Sequence, residues 1–165
     1  MTRPAQNCDS SRGIRLLVFS VDGRAYGLLL PAVLRVVHAV EITALPNAPD
    51  VILGAINVHG RVVPVFDLRR RFRQPAREIS AGDALVIAQT KRRTIALLAD
   101  SVSGVIEYSD SQVVRMEDVL PGLPYVKGLV KLENGMLLIH DLDTFLSIDE
   151  EIALDHTLER HAAAG

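Results

Sequence analysis

The chain has 165 residues, with 18 Lys and Arg against 20 Asp and Glu and a formal net charge of −2. That length allows one compact domain or two small halves sharing a core. The near-balanced charge excludes an overall basic field that would draw the chain to nucleic acid or an anionic membrane.

Apolar residues make up 48% of the sequence, but aromatics only 4%, and there is no Trp. The core must therefore be built from Val, Leu, Ile and Ala. The single cysteine, Cys8, lies in a polar N-terminal stretch. It excludes an intramolecular disulfide framework and fits a reducing compartment. Residues 1–12 lack the apolar segment of a secretory signal, and no apolar run approaches the length of a membrane span. A cytoplasmic location without direct membrane insertion is the default expectation.

In chain order, residues 1–13 are polar and expected to be disordered. Residues 14–21 read as a strand, Asp22-Gly23 as a tight turn and residues 25–30 as the partner strand. Pro31 interrupts, and residues 33–40 form another β-rich run. Residues 46–54 are predicted to be a short helix, with Asn47 as cap, Pro49 in the first turn and Gly54 at the end. Residues 54–72 read as a hairpin turning at His59-Gly60. Its second run contains Pro64, which cannot donate a ladder hydrogen bond, so Pro64 is expected at a sheet edge, a strand start or a bulge. Residues 74–82 are polar and join the halves.

The second half predicts strands at 84–90, 94–99 and 102–108. A loop-like span over 109–124 has room for a brief strand at Val113-Val114. A second hairpin over 125–140 turns at Asn134-Gly135. Ser147 and Glu150 have the spacing of a capping box. A C-terminal helix over about 148–160 follows, acidic first and basic last, as the macrodipole favours. Residues 161–165 should fray.

The two halves repeat one another. Gly54 and Asp67 stand as far apart as Gly128 and Asp141. Tyr26-Gly27-Leu28-Leu29-Leu30, then Val33, Val36 and Val37, aligns without a gap on Ile95-Ala96-Leu97-Leu98-Ala99, then Val102, Val105 and Ile106. Ten short strands in two matching sets of five give a mainly all-β class. The expected architecture is two linked five-stranded β-barrels from an internal duplication, with short helices and a C-terminal helix. The first barrel is expected over about 14–75 and the second over about 83–147, with strand exchange between halves left open. Residues 148–165 would be the C-terminal helix and frayed end.

These residues resemble the CheW family of bacterial chemotaxis coupling proteins over residues 16–146. The resemblance is carried by the strand pair ending in Tyr26-Gly27, by Leu45-Pro46-Asn47-Ala48-Pro49 and by the hairpin over 54–68. The second half adds Leu97-Leu98-Ala99-Asp100, Tyr125-Val126-Lys127-Gly128 and Asp141-Leu142. The resemblance implies a non-enzymatic adaptor without a cofactor. Its partners would be the regulatory domain of a CheA-type histidine kinase and the cytoplasmic helical hairpin of a methyl-accepting chemotaxis receptor. The protein would then be recruited to membrane-bound receptor clusters.

The resemblance places a receptor-binding groove at Leu30, Val33, Ala84, Ile95 and Val105, beside Arg35 and His59. It places a kinase-binding face at Val37, His38, Ile42 and Leu45. One departure stands out: the family usually has an acid at the position of Arg35 and an arginine at that of His59, so their customary bridge cannot form here. This suggests a divergent member with altered partner specificity. The alternative is a self-assembling scaffold of CheW-like copies that binds neither the standard receptor nor the standard kinase.

Other chemistries fit less well. Asp67 and Asp141 are equivalent in the repeat and each precedes a short helical turn, where an Asp can satisfy free backbone donors; caps explain them better than catalysis. His140, Asp141 and Asp143 could suggest a metal site, but adjacent strand residues point to opposite faces, and the usual ligand cluster is missing. No nucleophile motif or phosphate loop is present. The basic clusters at Arg69, Arg70, Arg71 and Arg73 and at Lys91, Arg92 and Arg93 lack the aromatic platforms of nucleic-acid binders, so nucleic acid is not an expected partner.

Overall fold

The computed structural model describes residues 13–38, 41–75, 78–80, 82–115, 126–132, 135–144 and 148–164. The N-terminal stretch over 1–12, the part of the expected loop over 116–124, the turn at Asn134 and the cap at Ser147 lie outside the described residues.

The first half contributes β1 (Gly13–Val21), β2 (Arg24–Leu29), β3 (Val33–His38), β4 (Ile52–Val58) and β5 (Arg61–Asp67), followed by the single-turn helix α1 (Leu68–Arg71). The second contributes β6 (Ala84–Gln89), β7 (Thr94–Ala99), β8 (Ser101–Ser109), β9 (Val113–Arg115), β10 (Val126–Leu132) and β11 (Gly135–His140). A 3-10 turn at Leu142–Thr144 precedes helix α2 (Ile148–Ala164). The two hairpin turns of the first half have the left-handed dihedrals that match strand twist: Asp22 and Gly23 lie at φ 54° and 77°, and His59 and Gly60 at 51° and 85°.

The strands form a six-stranded sheet in the order β8-β1-β2-β11-β10-β9 and a five-stranded sheet in the order β3-β6-β7-β5-β4. Neither sheet follows the sequence halves. The first hairpin of each half is inserted into the sheet of the other half, with β2 parallel to β11 and β7 parallel to β5. The mainly β class expected from the sequence is what the chain adopts. The strand count differs from five plus five because Val113–Arg115 forms a strand, whereas its counterpart is the single bridge Thr43–Ala55.

The duplication extends to the register. Val33 opposite Ala88 corresponds to Val102 opposite Phe19, and both pairings carry a bulge at the next step. Gly54 and Gly128 each follow a bulge as well. A Cβ on Gly54 would sit 2.2 Å from the Thr43 carbonyl oxygen, and one on Gly128 would sit 2.8 Å from that of Val114. A neighbouring backbone segment therefore passes too close at both places for any side chain.

The helix expected over 46–54 is not formed. Asn47 is left-handed at φ 65°, not extended as an N-cap would be. The segment makes turns, with Ile52 N donating to Pro49 O, and β4 has begun by Ile52. Two backbone bonds between Thr43 and Ala55 draw this segment into the sheet and override the local helix signals. Pro64 also departs from expectation, because β5 is an interior strand. Ala55 spends both backbone groups on Thr43, so Pro64, which faces Ala55, turns its nitrogen away from β4. On that other side the ladder to β7 begins only at Val65. The missing donor thus falls where the ladder has ended.

The main core lies between the sheets and includes Phe19, Leu28, Phe66, Val86, Ile95 and Leu97, closed from outside by Leu154 of α2. A second cluster around Val65 and Leu85 belongs to the five-stranded sheet. A third, around Leu16 and Val130, belongs to the six-stranded one.

Candidate functional site

Strands β3 and β8 are equivalent in the duplication, and each is the edge of its sheet. Edge strands leave backbone groups unpaired and are natural docking elements. Both edges also expose aliphatic side chains: Leu34 at 56% and Val36 on β3, and Val105 at 51% on β8. Val36 and Val105 occupy matching positions. So do Val62 and Met136, which are exposed on the two long hairpins.

Two cavities lie at opposite ends of β3. At its start, a cavity of about 260 Å³ has Leu34, Val58 and Val63 as apolar lining and Arg35, His59 and Arg61 as polar groups. At its end, a cavity of about 300 Å³ bridges the two sheets, with Val36, Val37, His38 and Ala84 on one side and Ser101 and Val102 on the other. A third cavity, of about 230 Å³, lies in the six-stranded sheet and is lined by Val18, Ala25, Gly104, Val105, Leu132 and Leu137.

The residues assigned to the receptor groove do not form one groove. Arg35 and His59 share the first cavity, Ala84 lines the second and Val105 the third. Leu30 and Val33 are half-buried against the main core. Ile95, at 1% exposure, is core and out of reach of any partner. Of the residues assigned to the kinase face, Val37 and His38 sit together in the inter-sheet cavity with Ala84, and Ile42 is half-buried against the five-stranded sheet's cluster. Leu45 is buried in the main core. Arg61, Leu34 and Met136 were not singled out from the sequence. The repeat could have pointed to Met136, which aligns with Val62.

His59 owes its place to the backbone. It occupies the first left-handed position of the β4–β5 turn, which Asn57 closes by accepting from Gly60 N at 2.8 Å. His is one of the few non-glycine residues enriched in that conformation. No ion pair to Arg35, His59 or Arg61 occurs among the described residues.

The remaining polar groups are engaged structurally. Asp67 Oδ1 accepts from Arg69 N at 3.0 Å, and Asp141 Oδ1 accepts from Asp143 N at 3.1 Å, so the duplicated aspartates are caps, as their sequence positions suggested. Asp143 Oδ1 accepts from Lys91 N. His140 is buried in a ring stack, 4.9 Å from both Tyr26 and Phe72. Among the described residues no group of three or more His, Cys, Asp or Glu is placed to hold a metal ion.

Much of the basic charge is also engaged. Arg69 bonds Asp100 at 2.7 Å and Asp22 at 3.5 Å, tying α1 to the β1–β2 turn. Arg71 pairs with Glu150, and Arg92 and Arg93 pair with Glu151 and Asp155 of α2. The cationic loop between β6 and β7 thus serves as a seat for the C-terminal helix. Among the described residues no helix is long and apolar enough to cross a membrane.

Interleaved sheets, aliphatic edges at matching positions and polar groups committed to caps and clamps define a protein-docking β scaffold. The CheW-like domain model matches residues 15–150. Chemotaxis protein CheW of Rhizobium meliloti (strain 1021) is 28% identical over 155 residues, covering 93% of this chain and 99% of the relative. Chemotaxis protein CheW of Klebsiella aerogenes is 26% identical, covering 90% and 91%. The crystal structure of the scaffolding protein TtCheW from Thermoanaerobacter tengcongensis superposes with a TM-score of 0.76 at 28% identity, over 84% of this chain and 96% of that one. The chain belongs to the CheW-like family, whose members are non-enzymatic scaffold and adaptor proteins of chemotaxis.

Proposed function

We propose that this chain couples a chemoreceptor's cytoplasmic helical hairpin to a CheA-type histidine kinase, in the cytoplasm at membrane-bound receptor clusters. The observation that carries this reading is the pair of cavities at opposite ends of β3. The receptor hairpin takes the end with Leu34, Arg35 and His59. The kinase regulatory domain covers Val37 and His38 and fills the inter-sheet cavity. Ala84, assigned to the receptor from the sequence, goes with the kinase on this reading. A single edge strand of 6 residues then touches both partners and holds them side by side.

The altered pair at Arg35 and His59 supports a changed choice of receptor, since an introduced repulsion is a common basis of specificity. Titration of the full chain with receptor hairpins and kinase regulatory domains from its own genome should give a ternary complex. Arg35→Glu with His59→Arg should strengthen binding to a receptor hairpin from another CheW system. A chain that binds its own kinase domain but no receptor, in either form, contradicts the proposal.

A second reading has its own observation. Val36 with Val105, and Val62 with Met136, place aliphatic groups at matching points of both halves. The first half of one copy could therefore meet the second half of another, giving a self-assembling scaffold. Concentration-dependent association without kinase or receptor binding would favour it.

A further inference from the structure

The duplication supplies an internal control for the cavity at the start of β3. Most of its lining has an equivalent in the cavity of the six-stranded sheet. Val58 and Val63 correspond to Leu132 and Leu137, and Ile87 and Thr94 to Val18 and Ala25. The apolar floors match. The rims do not: Arg35 corresponds to Gly104, and Arg61 to Gly135. The same fold is thus built twice, once with two guanidinium groups on the rim and once with none. Folding does not require those charges.

Nor are they engaged within the chain. Arg35 and Arg61 are exposed, and the described residues offer neither an ion pair. This sets them apart from Arg69, Arg71, Arg92 and Arg93, each of which has a carboxylate partner. Two like charges beside an imidazole over an aliphatic floor are mutually unfavourable until an anion joins them. A guanidinium fork recognises a carboxylate through parallel hydrogen bonds.

We infer that the cavity bounded by Leu34, Arg35, His59 and Arg61 selects an acidic amphipathic helix, whose aliphatic side chains enter the floor while its carboxylates meet Arg35 and Arg61. This rests on the receptor-coupling reading and supplies what that reading lacks: the chemistry of the receptor segment this chain accepts. Leu34, exposed beside Arg35, continues the apolar floor outward and lengthens the contact along the helix. The occupant is a helix because an apolar floor with a charged rim fits a structure that separates the two on one face.

The test uses the full chain and a panel of receptor hairpin fragments from its own genome, read by fluorescence anisotropy. Binding of the preferred hairpin should weaken as NaCl rises from about 50 to about 300 mM. Arg35→Glu with Arg61→Glu should lower affinity by roughly tenfold or more, and Arg115→Glu, the same change on the other sheet, should not. Glu/Asp→Lys changes on the hairpin should restore binding to the doubly reversed chain. Unchanged unfolding midpoints confirm that these exposed changes leave the fold intact.

Hairpin binding that ignores the charge reversal overturns the inference and leaves the adaptor reading standing. Failure of every hairpin to bind the wild-type chain overturns both. Binding to phosphatidylglycerol vesicles that exceeds hairpin binding, and is lost on the double reversal, assigns the site to a lipid headgroup and overturns the acidic helix. Self-association lost on the same reversal assigns it to a second copy and overturns it likewise.

Discussion

Gly54 and Gly128 occupy the two places where a third backbone segment crosses a bulged hairpin at close range. Gly54→Ala drives a methyl group into the Thr43 carbonyl, and Gly128→Ala into that of Val114, with less overlap. Each should cost about 1–3 kcal/mol in urea unfolding, Gly54→Ala the more, as forced overpacking does. Gly82→Ala, with nothing within 4 Å, should leave the midpoint unchanged. The aspartates were legible as caps because that requirement is local and repeated. The glycines were marked by the same repeated spacing, but the close approach that requires them was not legible, because it is a tertiary contact. Ile95 and Leu45 were not legible as core. An aliphatic residue on a strand has the same sequence signature whether it faces the interior or a partner, and only the sheet order settles which.

At the scale of elements, α2 is held from two sides. Leu154 is fully buried in the main core, while Glu150, Glu151 and Asp155 meet arginines of α1 and of the β6–β7 loop. Burial dominates this contact, because partly exposed ion pairs contribute little. Leu154→Ala should therefore lower stability by about 2–5 kcal/mol. Added salt should change the stability far less. A large salt effect together with a mild Leu154→Ala would show that the arginines hold the helix. The C-terminal helix was readable from its capping-box spacing and its charge order, and the hairpins from apolar runs around turn residues. The helix expected over 46–54 was misread because its cap and proline signals are local, whereas the Thr43–Ala55 bridge that decides the outcome is a tertiary contact.

For the whole molecule, the decisive feature is that each half lends its first hairpin to the sheet of the other. Residues 13–75 and 82–144 therefore have no complete sheet on their own. Expressed separately they should be unfolded by circular dichroism, and mixed they should recover native signal, while the intact chain should unfold in one transition. The repeat was visible in the sequence, but the exchange of hairpins was not, because side-chain pattern reports which face is buried and not which strand lies alongside. The same interleaving places β3 where its two ends open into different cavities, and the proposed coupling of two partners by one small domain rests on this. The most direct measurement is a pull-down from the native host with the tagged full chain, with mass spectrometry of what binds. The account predicts a histidine kinase together with a chemoreceptor. Recovery of neither, by a folded and monodisperse protein, would contradict it.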